Sequence, residues 1–223
     1  MYPVKLFAVE PKGYWLNMIL PRAIRKFKDK RAVKDPRWAS LFDQYEGDEV
    51  VSLDCETTSL DVGEASILSI GAVKINGKRV KTSDRLDIKL KPPADLTAES
   101  IKIHKIRAAD LADGVSIEEA LEQVLEFVGN RPILGYYVNY DIRMLDKFLR
   151  PAFGFGLPNK AIELSHVYHD IIKWRHVGGD VDLRFDTIAD KLNMPMIQRH
   201  TALGDAISVA LMYVRLKHGD TPL

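Results

Sequence analysis

Hydrophobic and polar positions change period along the chain. The run Val50-Val51-Ser52-Leu53 follows Glu49 and is short, apolar and β-branched, which predicts a buried strand. Residues 66–75 predict a second strand. Asn76-Gly77 then predicts a hairpin whose two central residues both need positive φ. The return strand runs over about residues 78–90, and Pro92-Pro93 ends it. Beyond this point the period becomes helical. Ser116 and Glu119 resemble a capping box ahead of Ala120, Leu121, Val124, Leu125 and Val128. Residues 132–135 read as a short strand, and Asn139 is placed to cap a helix that presents Ile142, Leu145, Phe148 and Leu149. Two more helices are predicted over residues 185–192 and 203–217. An antiparallel three-stranded start followed by alternating helices and strands predicts an α/β sheet with helices on its faces. The hairpin excludes a purely parallel sheet.

The first 47 residues read differently from residues 48–223. Trp15, Leu16, Met18, Ile19 and Leu20 precede the basic residues Arg22, Arg25, Lys26, Lys28, Lys30 and Arg31. One or two short helices are expected here, lying against the body through Trp15, Trp38 and Phe42, because aromatic side chains need a partner out of water. The overall charge of +1 conceals a division: residues 1–40 hold ten Lys/Arg and three Asp/Glu, and the remainder is mildly acidic. A basic arm can neutralise phosphates, although such runs are also simply solvated faces.

Of the 223 residues, 46% are hydrophobic and 28% charged, as in an ordinary soluble domain. Cys55 is the single cysteine, so an internal disulfide is excluded. No apolar run reaches the ~18 residues of a membrane span, and the N-terminus lacks the features of a secretory signal. A cytoplasmic protein without a membrane partner is expected.

The candidate chemistry begins at Asp54-Cys55-Glu56. Strand side chains alternate, so Asp54 and Glu56 share a side and Cys55 points away. Two carboxylates crowded at a strand end repel one another, and a divalent cation such as Mg²⁺ or Mn²⁺ relieves that repulsion. Asp141 and Asp205 each lie near the start of a predicted helix, where an acid also complements the helix dipole. His200 falls in the loop before the last helix. His166, His169 and His176 have no recognised zinc spacing, and Gly178-Gly179 lies outside any phosphate-loop pattern.

Taken in order, LDCETTSL, ILSIGAVKI, GYYVNYDIRML and RHTALGDA resemble the DEDDh family of 3′→5′ exonucleases. That family includes the proofreading subunits of bacterial replicative polymerases, oligoribonuclease and ribonuclease T. The resemblance covers residues 49–217. It implies an RNase H-like mixed five-stranded sheet flanked by helices, here with an N-terminal helical extension. It also implies two divalent cations that clamp the attacking and leaving oxygens of a phosphodiester. By resemblance, Asp54 bridges both cations, Glu56 and Asp205 hold the one that binds the attacking water, and Asp141 acts on the second through outer waters. His200 takes the proton, as an imidazole titrating near ~6.5 suits a base at neutral pH. Thr57, Thr58 and Leu60 line the pocket for the 3′-terminal nucleotide, with Leu60 placed to wedge against its base. The family usually reads Gly-His-Asn where this chain has Gly135-Tyr136-Tyr137, and the two phenols offer either a stacking surface or rim packing. LKPPADLTAESIKIHKI resembles the segment before the family's I-H-G-I turn, with Lys105 in place of glycine.

The implied substrate is the 3′ end of single-stranded nucleic acid, DNA favoured, releasing nucleoside 5′-monophosphates. RNA 3′-end processing is the nearest alternative. A catalytically idle binding module is the other, and it would have no chemical need for all five polar residues. A homodimer and a polymerase-associated subunit are the open assembly states.

Overall fold

The computed structural model describes residues 22–94, 96, 101, 106–173 and 181–219. The first elements are α1 (Arg22–Ala32), a 3-10 helix (Pro36–Phe42), β1 (Glu49–Thr57), β2 (Ile67–Asn76) and β3 (Arg79–Lys89). A second 3-10 helix (Ala108–Leu111), α2 (Ile117–Val128), β4 (Ile133–Gly135), α3 (Val138–Phe153) and β5 (Ala161–Glu163) follow. The chain closes with α4 (Leu164–Ile172), α5 (Phe185–Leu192) and α6 (Ala202–His218). The predicted contact of Trp15, most of the segment leading to Lys105, His176 and Gly178-Gly179 lie outside the described residues.

The strands form one sheet in the order β3-β2-β1-β4-β5. β1, β2 and β3 pair antiparallel, and β4 and β5 continue parallel to β1. The sheet is thus mixed, with five strands and helices on both faces, as expected.

Alternation along β1 decides what each face carries. Val51, Leu53 and Cys55 join the first core cluster with Leu121 and Leu125 of α2 and Leu145 and Leu149 of α3. Ser52 points the other way, and its Oγ donates to the Ala206 carbonyl of α6 at 2.8 Å. On that second face Val73 and Ile75 of β2 pack with Leu164, Ile188, Val209 and Met212 from α4, α5 and α6.

The extension reaches the first face. Trp38 and Phe42 are each 4% exposed, and burying a side chain of this kind contributes roughly 1.5–3 kcal/mol. Their rings meet Phe153 and Phe155 edge-on, with centroids 6.2 and 5.6 Å apart. Asp29 of α1 accepts both Nη groups of Arg150, at 3.1 and 3.2 Å.

Local departures from the sequence reading have identifiable causes. Asn76 pairs with Arg79, so the turn residues are Gly77 and Lys78 rather than Asn76 and Gly77, and only Gly77 (φ 55°) takes a positive φ. Asn139 does not cap α3. The helix starts at Val138, whose N–H donates to Glu163 Oε2 at 3.0 Å, and the preceding Tyr137 is left-handed at φ 59°. A carboxylate from β5 thus does the work of a local cap. β5 was not predicted, because three residues are too few to show a strand period, and the nine-residue α4 that follows it directly was not predicted either.

Candidate functional site

The second face of β1 brings Asp54 and Glu56 toward α6. Asp54 stands opposite Gly71 in the β1–β2 register. A Cβ on Gly71 would lie 2.1 Å from the Leu203 amide nitrogen and 2.3 Å from the Ala202 carbonyl carbon. The missing side chain is therefore what lets the first turn of α6 rest directly on the sheet beside Asp54. Thr201 caps that turn, its Oγ1 accepting the Gly204 N–H at 3.1 Å and donating to the Gln198 carbonyl at 2.8 Å. Gln198 (φ 41°) and His200 (φ 64°) are both left-handed, a conformation that costs an ordinary residue ~1–2 kcal/mol.

The outcome is convergence. One ligand oxygen each from Asp54, Glu56 and Asp205 lies within 4.8 Å of the other two, and no other such acid, histidine or cysteine group occurs among the described residues. Asp141, in the first turn of α3, stands outside this trio. It is 3% exposed and its Oδ1 accepts the Cys55 N–H at 3.0 Å, so it is fixed to the β1 backbone between Asp54 and Glu56. His200 is exposed at the lip of α6, and its N–H donates to Asp205 Oδ2 at 3.2 Å.

The electrostatics are those of crowded acids. Burial, and then the fields of Asp141, Glu56 and Asp205, push the Asp54 carboxyl well above its usual range. Glu56 is pushed up to about 7 by burial and then by Asp205. Burial raises Asp205 and Asp141 as well. Asp205 Oδ1 is buried without a hydrogen-bond partner. Buried oxygens in this state are costly unless protonated or covered by a cation. A divalent cation fits: the donors are hard carboxylate oxygens, they converge, and one of them takes no hydrogen bond.

The other predicted residues fall around this cluster. Thr58 closes the loop after β1, its Oγ1 accepting the Ser66 N–H at 3.0 Å. Thr57 Oγ1 donates to the Ser59 carbonyl at 3.0 Å. Leu60 is 87% exposed at the tip of that loop. The Tyr136 hydroxyl donates to the Leu183 carbonyl at 3.0 Å and its ring packs edge-on against Phe185, whereas Tyr137 is 67% exposed. Cys55 is buried in the first core cluster.

Three residues were missed. The Tyr140 hydroxyl lies 2.6 Å from the Ser59 carbonyl oxygen, to which it donates, and 2.6 Å from Thr57 Oγ1. It thereby ties the Leu60 loop to α3, one residue before Asp141. Glu163 caps α3 from 25 positions away, a contact that leaves no local signal. Arg199 Nη1 lies 3.5 Å from Asp205 Oδ1. Its place beside His200 was visible, but nothing in the sequence gave its direction.

Comparison with known proteins bears on this geometry. The PolC-type DNA polymerase III of Thermotoga petrophila is 29% identical over 171 residues, which are 77% of this chain but 12% of that polymerase. DNA polymerase III subunit epsilon of Aquifex aeolicus is 24% identical over 166 residues, covering 74% of this chain and 79% of the subunit. The structure of E. coli Exonuclease I in complex with a dT13 oligonucleotide superposes with a TM-score of 0.62 at 14% identity, over 76% of this chain and 41% of the other. Cell-death related nuclease 4 superposes with a TM-score of 0.61 at 14% identity, over 76% and 64%. These two likenesses establish a shared fold. Among the described residues no helix is long and apolar enough to cross a membrane. The Exonuclease family model (RNase_T) matches residues 51–213, from the strand that carries Asp54 and Glu56 into the helix that carries Asp205, and the chain belongs to this family.

Proposed function

We propose that this chain is a divalent-cation-dependent 3′→5′ exonuclease that shortens single-stranded nucleic acid, DNA in preference to RNA, and releases nucleoside 5′-monophosphates. The observation that carries the reading is the convergence of Asp54, Glu56 and Asp205, with one buried oxygen that takes no hydrogen bond. Two Mg²⁺ or Mn²⁺ ions bound there would supply the Lewis acidity and charge neutralisation that phosphodiester hydrolysis needs.

Asp54, Glu56 and Asp205 would hold the cations, and Asp141 would add negative field from its seat on the Cys55 amide. His200 stands at the open side, where its imidazole accepts the proton of the attacking water. The water oxygen bonds to the phosphorus, and the bond from phosphorus to the 3′ oxygen of the penultimate nucleotide breaks. That oxygen takes a proton from solvent to become the new 3′-hydroxyl, while the terminal nucleotide leaves with its 5′ phosphate. Thr57, Thr58 and the exposed Leu60 form the wall for the terminal nucleotide, and Tyr140 holds their loop in place. Tyr137 offers an exposed ring on which a base can stack, an interaction of ~1–3 kcal/mol. Tyr136, with its hydroxyl engaged by Leu183, supports that ring from behind at 4.6 Å between centroids. Similarity to DNA polymerase III chains supports a proofreading or repair role beside a polymerase; a stand-alone cytoplasmic homodimer is the other assembly we propose.

The substrate claim is tested with matched, labelled DNA and RNA oligomers in Mg²⁺, Mn²⁺ and EDTA. Faster shortening of DNA supports the reading. Faster shortening of RNA makes the chain an RNA-processing nuclease on the same chemistry, with the 2′-hydroxyl as the discriminating contact. Binding without hydrolysis in any cation would leave only a nucleic-acid-binding module.

A further inference from the structure

Arg199 has three anchors of different kinds. Its Nη1 lies 3.5 Å from Asp205 Oδ1, its Nη2 lies 3.4 Å from Asp186 Oδ1, and its Cζ stands 4.5 Å from the centroid of the Phe185 ring. Phe185 and Asp186 open α5, and Asp205 lies in the first turn of α6. The guanidinium therefore bridges two helices at the lip of the acidic cluster.

The anchors differ in how firmly they hold. The Asp186 side chain is 68% exposed, so water screens that pair. The Phe185 ring gives the planar guanidinium a flat seat that does not depend on what fills the cluster. The Asp205 side chain is only 14% exposed, and its Oδ1 takes no hydrogen bond. At 3.5 Å the contact is one of charge against charge rather than a formed hydrogen bond. The field of Arg199 also opposes the upward push on the Asp54, Glu56 and Asp205 carboxyls, so its charge reaches the whole trio.

We propose that Arg199 is the resident counter-ion of the cation site. It leans on Asp205 when no cation is bound and yields that carboxylate to an incoming divalent ion, while Phe185 and Asp186 keep it at the lip. A positive charge that competes for a ligand carboxylate sets the cation concentration at which the site fills. Arg199 is thus a positioning residue for the metal site. The proposal rests on the reading of Asp54, Glu56 and Asp205 as cation ligands.

The test needs no substrate. Mn²⁺ binding is titrated by calorimetry, or by the paramagnetic resonance of free Mn²⁺, in the wild type, Arg199→Gln, Arg199→Met and Arg199→Lys. Thermal melting in EDTA is recorded alongside. Loss of the charge should tighten Mn²⁺ about tenfold in the Gln and Met variants, the effect of one cation beside a divalent site at solvent-like screening. Both should melt below wild type in EDTA, because the acids then repel one another unrelieved. Arg199→Met keeps an apolar chain on Phe185, so it serves if the Gln variant folds poorly. Arg199→Lys keeps the charge and should stay near the wild-type affinity. Unchanged or weaker Mn²⁺ binding in Gln and Met, with wild-type binding intact, would overturn the counter-ion role alone. Absence of Mn²⁺ binding in the wild type would overturn the cation site and the counter-ion together.

Discussion

Glu56→Gln should stabilise the cation-free protein at alkaline pH and cost it its response to cations. The Glu56 carboxyl is held at about 7 instead of 4.5, first by burial and then by the neighbouring Asp205. At 1.36 kcal/mol per pKa unit, that difference amounts to about 3 kcal/mol against the ionised form. Water at the open side of the cluster and relaxation of the side chains reduce the recoverable part to roughly 1–2 kcal/mol. For a chain of this size each kcal/mol moves the melting temperature by about 2–4 °C, so a gain of about 2–8 °C is expected. The sign depends on pH. A carboxyl whose pKa is raised on folding lends stability that is complete below about pH 4.5 and lost as the pH rises through about 7. In EDTA the wild type should therefore lose stability across that window, and Glu56→Gln should not lose this component. The two melting curves should run together below about pH 4.5, separate as the pH rises toward about 7, and stay apart above it. Saturating Mn²⁺ should reverse the order, because a ligand that binds only the folded state raises its stability and the variant binds it less well. Calorimetry across pH, with and without Mn²⁺, measures both. A variant that melts at or below wild type in EDTA at about pH 8 would show that Glu56 is a structural group rather than a repelled ligand.

The remaining expectations touch other parts of the site. Gly71→Ala should displace the first turn of α6 from the sheet, lowering the melting temperature and weakening Mn²⁺ binding together, because the new methyl meets backbone atoms. A variant that loses neither would mean that α6 is not seated by this contact. His200→Ala should lower turnover by ~10²–10⁴ while leaving Mn²⁺ affinity near wild type; near-normal turnover would remove His200 from the proton transfer. Tyr140→Phe keeps the ring but frees the Leu60 loop from α3, so KM for an oligonucleotide should rise more than kcat falls. An unchanged KM would show that the loop is held by other contacts.

Much of this molecule was legible in the residues, for reasons that differ by element. β1 was visible because its short run is apolar and β-branched, β2 because its apolar run is long, and α5 because its face repeats cleanly over residues 185–192. The side on which Asp54 and Glu56 lie followed from alternation alone. The hairpin was located but its turn slipped by one residue, since Asn76 is still paired to Arg79. The start of α3 was misread because its capping carboxylate comes from Glu163 on another strand. Local chemistry cannot reveal a partner that only the fold brings near. The same limit hid Arg199, whose meaning lies in the meeting of α5 and α6, and Tyr140, whose hydroxyl acts on a loop about 80 positions away. Gly71 gave no signal either, since a glycine in a strand does not announce which helix will rest on it.

The most direct measurement follows a single-stranded DNA oligomer labelled at its 5′ end through digestion in Mn²⁺, with the released products identified. A ladder that shortens one nucleotide at a time from the 3′ end, with 5′-monophosphates as product, is expected. EDTA and Asp54→Asn should each abolish it, and Asp54→Asn should remain folded in EDTA because it loses a buried, repelled charge. Internal cuts, early release of the 5′ label, or a ladder that persists in EDTA or in Asp54→Asn would contradict a cation-dependent 3′→5′ exonuclease built on the Asp54, Glu56 and Asp205 cluster.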